Sequence, residues 1–246
     1  VSVALAVTHA PWDAQRRAWV ARLQRDVSPQ PLHVVSDTRR DRWDTTRRAW
    51  LRLATQPARY ALVLQDDLAV VPGFVQHAVD ATVAADGAVL SFFTYTPFAA
   101  DCAARSAWFV DDALWGACLG LPVEALPTFL AWTARWITPS YGPTDKRVWL
   151  FARAHELPIL TATHSLVRHL GAGHSLIGHR FGHVDDPPLA TRARLDWQVP
   201  PEVPCAPQRP GRLAAVWREA RSQPVELSTT DSGWRPHHVP SKSGGD

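Results

Sequence analysis

Tyr60-Ala-Leu-Val-Leu-Gln-Asp-Asp-Leu-Ala-Val-Val-Pro72 runs apolar and then breaks on two adjacent carboxylates, Asp66 and Asp67. A short, almost uniformly apolar run of this kind reads as a buried strand. Two like charges side by side raise each other's pKa unless a cation neutralises them. A divalent cation such as Mg²⁺ or Mn²⁺ suits oxygen ligands at a strand end, and such ions are commonly held by one or two carboxylates together with substrate phosphates. The alternative is that the two acids simply open a surface turn.

Upstream, Val1–Val7 reads as a first buried strand and Thr8-His-Ala-Pro11 as the turn after it. Trp12 to Asp26 has helical spacing. Trp12, Trp19, Val20 and Leu23 fall on one side, with Arg16, Arg17, Arg22 and Arg25 mostly on the other. Leu32–Ser36 is a second strand ending at Asp37, and Asp44 to Thr55 a second helix with Asp44 or Thr45 as its cap. Strand–helix–strand–helix–strand predicts an α/β fold with a mostly parallel central sheet flanked by helices. Ligands of such sheets sit beyond the carboxyl ends of the strands. Thr8, Asp37 and the Asp66–Asp67 pair all fall there.

Downstream, Phe74 to Asp86 reads as a helix, Ala88 to Thr94 as a strand and Ala99 to Arg105 as a loop. Trp108–Val110 and Trp115–Leu119 read as short strands that could form a hairpin around Asp111 and Asp112. Pro122 to Arg135 is a helix interrupted by Pro127. Asp145 to Glu156 is a helix capped by Thr144, and Pro158–Thr163 a last strand. Arg209 to Ser222 carries one more helical pattern, and the polar end of the chain reads as a flexible tail. The expected organisation is a single domain over 1–205, followed by a C-terminal helix and tail over 206–246.

Of 246 residues, 46% are hydrophobic, enough for a substantial core. No apolar run has the length of a membrane span. Cys102, Cys118 and Cys205 are widely spaced, which argues against a zinc knuckle or disulfide scaffold and suits a reducing cytoplasm. The net charge is +3, and Lys146 and Lys242 are the only lysines. Arginine is the better bidentate phosphate ligand, although GC-rich coding also produces this bias. Nucleic acid is permitted as a partner on this balance. The P-loop, dinucleotide-fold glycine, nucleophile-elbow and H-E-x-x-H signatures are missing from the sequence.

Two further groups carry chemistry. Asp145 follows the Pro139-Ser-Tyr-Gly-Pro143 loop and opens a helix. It is either an acid complementing the helix dipole or a general base at the rim of a cleft. His164-Ser-Leu-Val-Arg-His169-Leu-Gly-Ala-Gly-His174-Ser-Leu-Ile-Gly-His179 is dense in histidine, and one metal or phosphate contact is expected within it.

In chain order, "LVLQDD" with "PGF", then "WGACLGLP", then an Asp opening a late helix, then "HSLVRHLGAGHSLIG" resembles the GT-A class of nucleotide-sugar glycosyltransferases. The resemblance covers roughly residues 1–178. It implies a GT-A-type Rossmann-like fold, a UDP-sugar donor and Mn²⁺ or Mg²⁺ held against the diphosphate. Gln65 stands where the first acid of the D-x-D motif often stands, leaving Asp67 as the metal ligand and Asp66 facing the ribose or donor sugar. The "SLVRHLG" segment is similar to "PSLVQHIG" of such enzymes, which makes His169 the second metal ligand and His174 the fallback. Asp145 maps onto the base of inverting members. Thr8 and Asp37 map onto the uridine site, and Arg16 or Arg47 onto the diphosphate.

A narrower resemblance is to phage enzymes that glycosylate DNA, in particular TET-associated glycosyltransferases acting on 5-hydroxymethylcytosine. It implies DNA as partner and an exposed or flipped base; the chain itself is expected to be cytoplasmic, with no membrane and no obligate protein partner. Groove candidates are Arg39, Arg40, Arg42, Arg105, Arg180 and the arginines of the tail, with Trp108 and Trp115 as stacking surfaces. A glycan, lipid or protein acceptor, a metal-dependent nucleotidyltransferase or phosphohydrolase, and a non-catalytic binding module are the competing readings.

Overall fold

The computed structural model describes residues 2–94, 97–110, 114–170, 195–205 and 211–221. In chain order these form β1 (Val3–His9), α1 (Ala14–Asp26), β2 (Leu32–Ser36), α2 (Arg42–Leu53), β3 (Tyr60–Gln65), β4 (Leu68–Val70), α3 (Phe74–Ala84), β5 (Val89–Ser91), α4 (Pro97–Cys102), β6 (Trp108–Phe109), β7 (Cys118–Pro122), α5 (Leu126–Trp136), α6 (Thr144–Ala154), β8 (Ile159–Ala162), β9 (Val167–His169) and α7 (Arg212–Ala220). The fold is α/β, built on one seven-stranded sheet in the order β2-β1-β3-β7-β5-β8-β6. β1 pairs in parallel with β2 and β3, and β5 with β8, while β7 and β6 run against their neighbours. The sheet is therefore mixed, with one direction predominating.

β1 and β3 are apolar on both faces because helices cover both. On β1 and β3, Val3, Leu5, Val7, Tyr60, Leu62 and Leu64 face one layer, where they meet Val20 and Leu23 of α1 and Phe74, Ala78 and Ala81 of α3. Ala4, Ala6, Ala61 and Val63 face the other, against Trp43 and Trp50 of α2 and Phe129 of α5. This is the two-residue period of a strand. Small residues on the second face leave room for the tryptophans. Full burial of a side chain such as Leu62 contributes about 1.5–3 kcal/mol.

Several boundaries differ from the sequence reading, each for a local reason. The 60–72 segment is two strands, because the Asp66–Asp67 turn ends β3 and starts β4. The start of α2 is two residues earlier than expected: the cap is Asp41, not Asp44 or Thr45, and its side chain accepts the Asp44 N–H at 3.0 Å. Pro127 sits in the first turn of α5, where its missing N–H costs nothing, so it opens that helix and does not interrupt it. Thr144 is the first residue of α6 and not its cap; Pro143 holds that position without a side-chain bond. The segment expected as a loop from Ala99 includes α4.

β6 and β7 do not form a hairpin. β7 inserts between β3 and β5, and β6 pairs with β8 at the sheet edge. Asp111 and Asp112 lie outside the described residues. Among the described residues, no helix is long and apolar enough to cross a membrane.

Candidate active site

The carboxyl ends of β1, β2 and β3 lie level, with Thr8 opposite both Val35 and Gln65. The register brings His9 beside the turn after β3. Asp66 is buried there at 3% exposure. Its Oδ2 accepts the Ala10 N–H at 2.6 Å and lies 3.2 Å from His9 Nδ1. Its Oδ1 accepts from Arg16 Nη1, and Arg16 Nη2 donates to Asp67 Oδ2 at 2.9 Å. One guanidinium thus bridges both acids in the two-pronged geometry that suits arginine. Two carboxylates against one guanidinium leave a formal charge of −1 when the histidines are neutral.

Arg16 was expected on the solvent face of α1. It is buried at 8%, in line with Val20 and Leu23, whereas Trp12 is 42% exposed. Asp66 and Arg16, which the sequence assigned to the donor, are therefore engaged with each other.

Asp67 is placed by a second device. β4 and β9 form a two-stranded antiparallel ribbon in which Leu68 faces His169, and the Leu170 N–H donates to the Asp67 carbonyl at 2.8 Å. His169 Nδ1 lies 3.5 Å from Asp67 Oδ1, outside good hydrogen-bond range. The Phe93 ring meets the imidazole edge-on at 5.1 Å. Asp67 Oδ1 is buried and has no hydrogen-bond partner. Burial pushes the Asp67 carboxyl up, but His169 and Arg16 more than offset this and hold it below the ordinary carboxylate value.

A buried, unsatisfied carboxylate oxygen beside an imidazole nitrogen is a two-donor set. No group of three His, Cys, Asp or Glu converges among the described residues. Two such donors fit Mg²⁺ or Mn²⁺ completing its shell with phosphate and water.

Gln65 links this end of the sheet to Asp145. Its N–H donates to the Ala117 carbonyl at 3.1 Å, and its Nε2 to the Gly116 carbonyl at 3.3 Å. Gly116 in turn faces Asp145: a Cβ at 116 would stand 3.0 Å from Asp145 Cβ and 3.4 Å from Cγ. Asp145 is partly exposed in the first turn of α6, and its Oδ1 accepts the Lys146 N–H at 2.9 Å. The bare glycine lets Asp145 sit directly against the turn that Gln65 holds.

The other candidates are less central. Thr8 Oγ1 donates to the Leu64 carbonyl at 3.3 Å. Asp37 is 7% exposed and accepts the N–H groups of Arg39 and Asp41 at 3.0 and 3.2 Å, shaping the β2–α2 loop. Arg47 pairs with Asp44 at 3.3 Å and does not contact the Asp pair. Arg39, Arg40 and Arg42 are exposed on the β2–α2 loop and the start of α2, and Arg105 is exposed beyond α4. Trp108 is fully buried and donates Nε1 to the Trp197 carbonyl, so it offers no stacking surface. Trp115 is partly exposed next to Gly116. His174, His179 and Arg180 lie outside the described residues.

The sequence reading missed His9, Trp12 as a surface residue, and Arg147. Trp12 follows the Ala10 contact to Asp66 by two positions, and Arg40 lies 5.3 Å over its ring. Arg40 holds a left-handed backbone, φ 56°, sparsely populated for a non-glycine residue.

A scan of protein-family models and a search of curated proteins return no match. Among solved structures, the chain is similar to a glycosyltransferase involved in the glycosylation of the major capsid of PBCV-1. The two share 12% identity over 71% of this chain and 95% of that one, with a TM-score of 0.41. The likeness is distant.

Proposed function

We propose that the chain is a metal-dependent glycosyltransferase that moves a sugar from a UDP-sugar to an acceptor hydroxyl with inversion. One observation carries the reading: a buried, unsatisfied Asp67 oxygen beside His169, at the carboxyl end of the sheet and joined through Gln65 and Gly116 to Asp145. Asp67 and His169 would hold Mn²⁺ or Mg²⁺, which supplies positive charge against the departing diphosphate. Asp66, Arg16 and His9 fix Asp67. Asp145 accepts the proton of the acceptor hydroxyl as its oxygen attacks the anomeric carbon. Trp12, exposed in the turn that follows β1, suits stacking of the donor base.

The acceptor we favour is 5-hydroxymethylcytosine in DNA. Arg39, Arg40 and Arg42 support it, since all three are exposed, with Arg40 lying over the Trp12 ring. Such cations neutralise phosphates and make binding strongly salt-dependent. The test is a panel of UDP-sugars with hydroxymethylated DNA, glycan, lipid and protein acceptors, read by mass spectrometry. Transfer to a non-DNA acceptor alone would move the assignment within the class. UDP release dependent on Mn²⁺ and abolished by Asp67→Asn supports the metal role, while undiminished metal-dependent UDP binding in that variant removes it.

A further inference from the structure

Arg147 lies two residues past Asp145 in α6 and is wholly buried. A buried cation usually has a carboxylate partner, because desolvating an unpaired charge is costly. Arg147 instead donates to main-chain carbonyls of the loop before α6. Its Nε reaches Tyr141 O at 3.0 Å, and its Nη2 reaches Thr138 O at 2.9 Å and Pro139 O at 3.3 Å, with a further short bond to Tyr141 O. The Trp43 ring lies 4.1 Å from its Cζ.

The same loop is held from outside by α7. The Thr138 N–H and Oγ1 both donate to the Ala220 carbonyl at 3.2 Å, and Lys146 Nζ stands 3.6 Å from Glu219. The segment clamped on both sides delivers Asp145 to its tight seat against Gly116. A methionine of similar length would remove the buried charge but leave the Thr138, Pro139 and Tyr141 carbonyls without this donor, so the loop loses its tie even where the space is filled.

We infer that Arg147 is a positioning residue for Asp145. Its guanidinium gathers the carbonyls of Thr138, Pro139 and Tyr141 into one rigid loop and so fixes the height of the carboxylate above Gly116. This rests on the reading of Asp145 as the acceptor base. A shift of about 1 Å at a reacting group can lower turnover roughly a hundredfold. The fork geometry matters as well as the charge, so lysine should restore turnover only in part.

The test compares wild type, Arg147→Met, Arg147→Lys and Asp145→Asn on a UDP-sugar and the acceptor found for the wild type. Thermal unfolding confirms that each variant is folded. The expected result is a fall in kcat of about a hundredfold in Arg147→Met, a smaller fall in Arg147→Lys, and a donor KM within about twofold of wild type in both. Should Arg147→Met not fold, Arg147→Lys decides on the same split. Unchanged kcat in the folded variants, or a loss lying wholly in KM, overturns the inference while an inactive Asp145→Asn keeps the base assignment. Active Asp145→Asn overturns both, and a wild type that consumes no UDP-sugar overturns the proposed function itself.

Discussion

Replacing Arg16 by methionine should be among the most damaging single changes near the site. The guanidinium side chain is 10% exposed, and the two carboxylates it bridges are 4% and 14% exposed. Methionine keeps most of the volume and leaves two adjacent buried acids with no cation between them. Removing one partner of a buried ion pair costs about 3–5 kcal/mol, so Tm should fall by roughly 10 °C for a chain of this size. Urea unfolding followed by circular dichroism measures the loss.

The pH dependence carries a sign. In the wild type, Asp67 titrates below its unfolded value. It therefore contributes stability that is present above the unfolded pKa of about 3.9 and is lost as pH falls through the folded one. Without Arg16 the Asp67 carboxyl keeps the lowering by His169 but loses that of the guanidinium, so its folded pKa moves up and the variant has less of this stability to lose in acid. The gap between the two proteins should be widest near pH 7 and narrow below about pH 4. Adding Asp66→Asn to Arg16→Met removes one stranded charge and should recover part of the loss. Arg16→Met within about 1 kcal/mol of wild type at pH 7, or a gap that widens in acid, would refute the network.

Two other substitutions probe the neighbouring elements. Trp12→Ala removes a largely exposed ring and should leave Tm nearly unchanged while weakening UDP binding about tenfold, within the usual range for a base–aromatic stack. Isothermal calorimetry with UDP checks this, and equal affinity would take Trp12 out of the donor site. Gly116→Ala places a Cβ 3.0 Å from Asp145 Cβ, so one of them must move. Steady-state kinetics should show kcat reduced about tenfold or more, and an unchanged kcat would mean that the seat of Asp145 is unimportant.

The half of the fold from β1 to β3 was readable because each strand is a short apolar run and each helix has its own period. The strand ends at Thr8 and Gln65 were legible in those runs, while their pairing, and the His9–Asp66 contact that comes with it, were not. Arg16 was misassigned although its signal was present. Positions 16, 20 and 23 are spaced as one helical face, and a buried acid pair on the next strand is what such an arginine would serve. Partners that depend on distant pairing were not readable. Nothing local to Cys118–Pro122 says that it enters the middle of the sheet, and nothing local to Val167–His169 says that it zips onto Leu68–Val70. The seat of Asp145 against Gly116 follows only once β7 is in place. Arg147 looked like any helical arginine because its partners are carbonyls, which leave no mark in a sequence.

The most direct test is UDP release and product mass for wild type and Asp145→Asn, each with a UDP-sugar panel, hydroxymethylated DNA and Mn²⁺, with and without EDTA. The expected result is an acceptor gaining one sugar in the wild type, lost on chelation and lowered at least a hundredfold in Asp145→Asn, with UDP affinity retained by the variant. Turnover that survives EDTA, or an Asp145→Asn variant as active as wild type, would contradict the mechanism. Failure to consume any UDP-sugar with any acceptor would contradict the function.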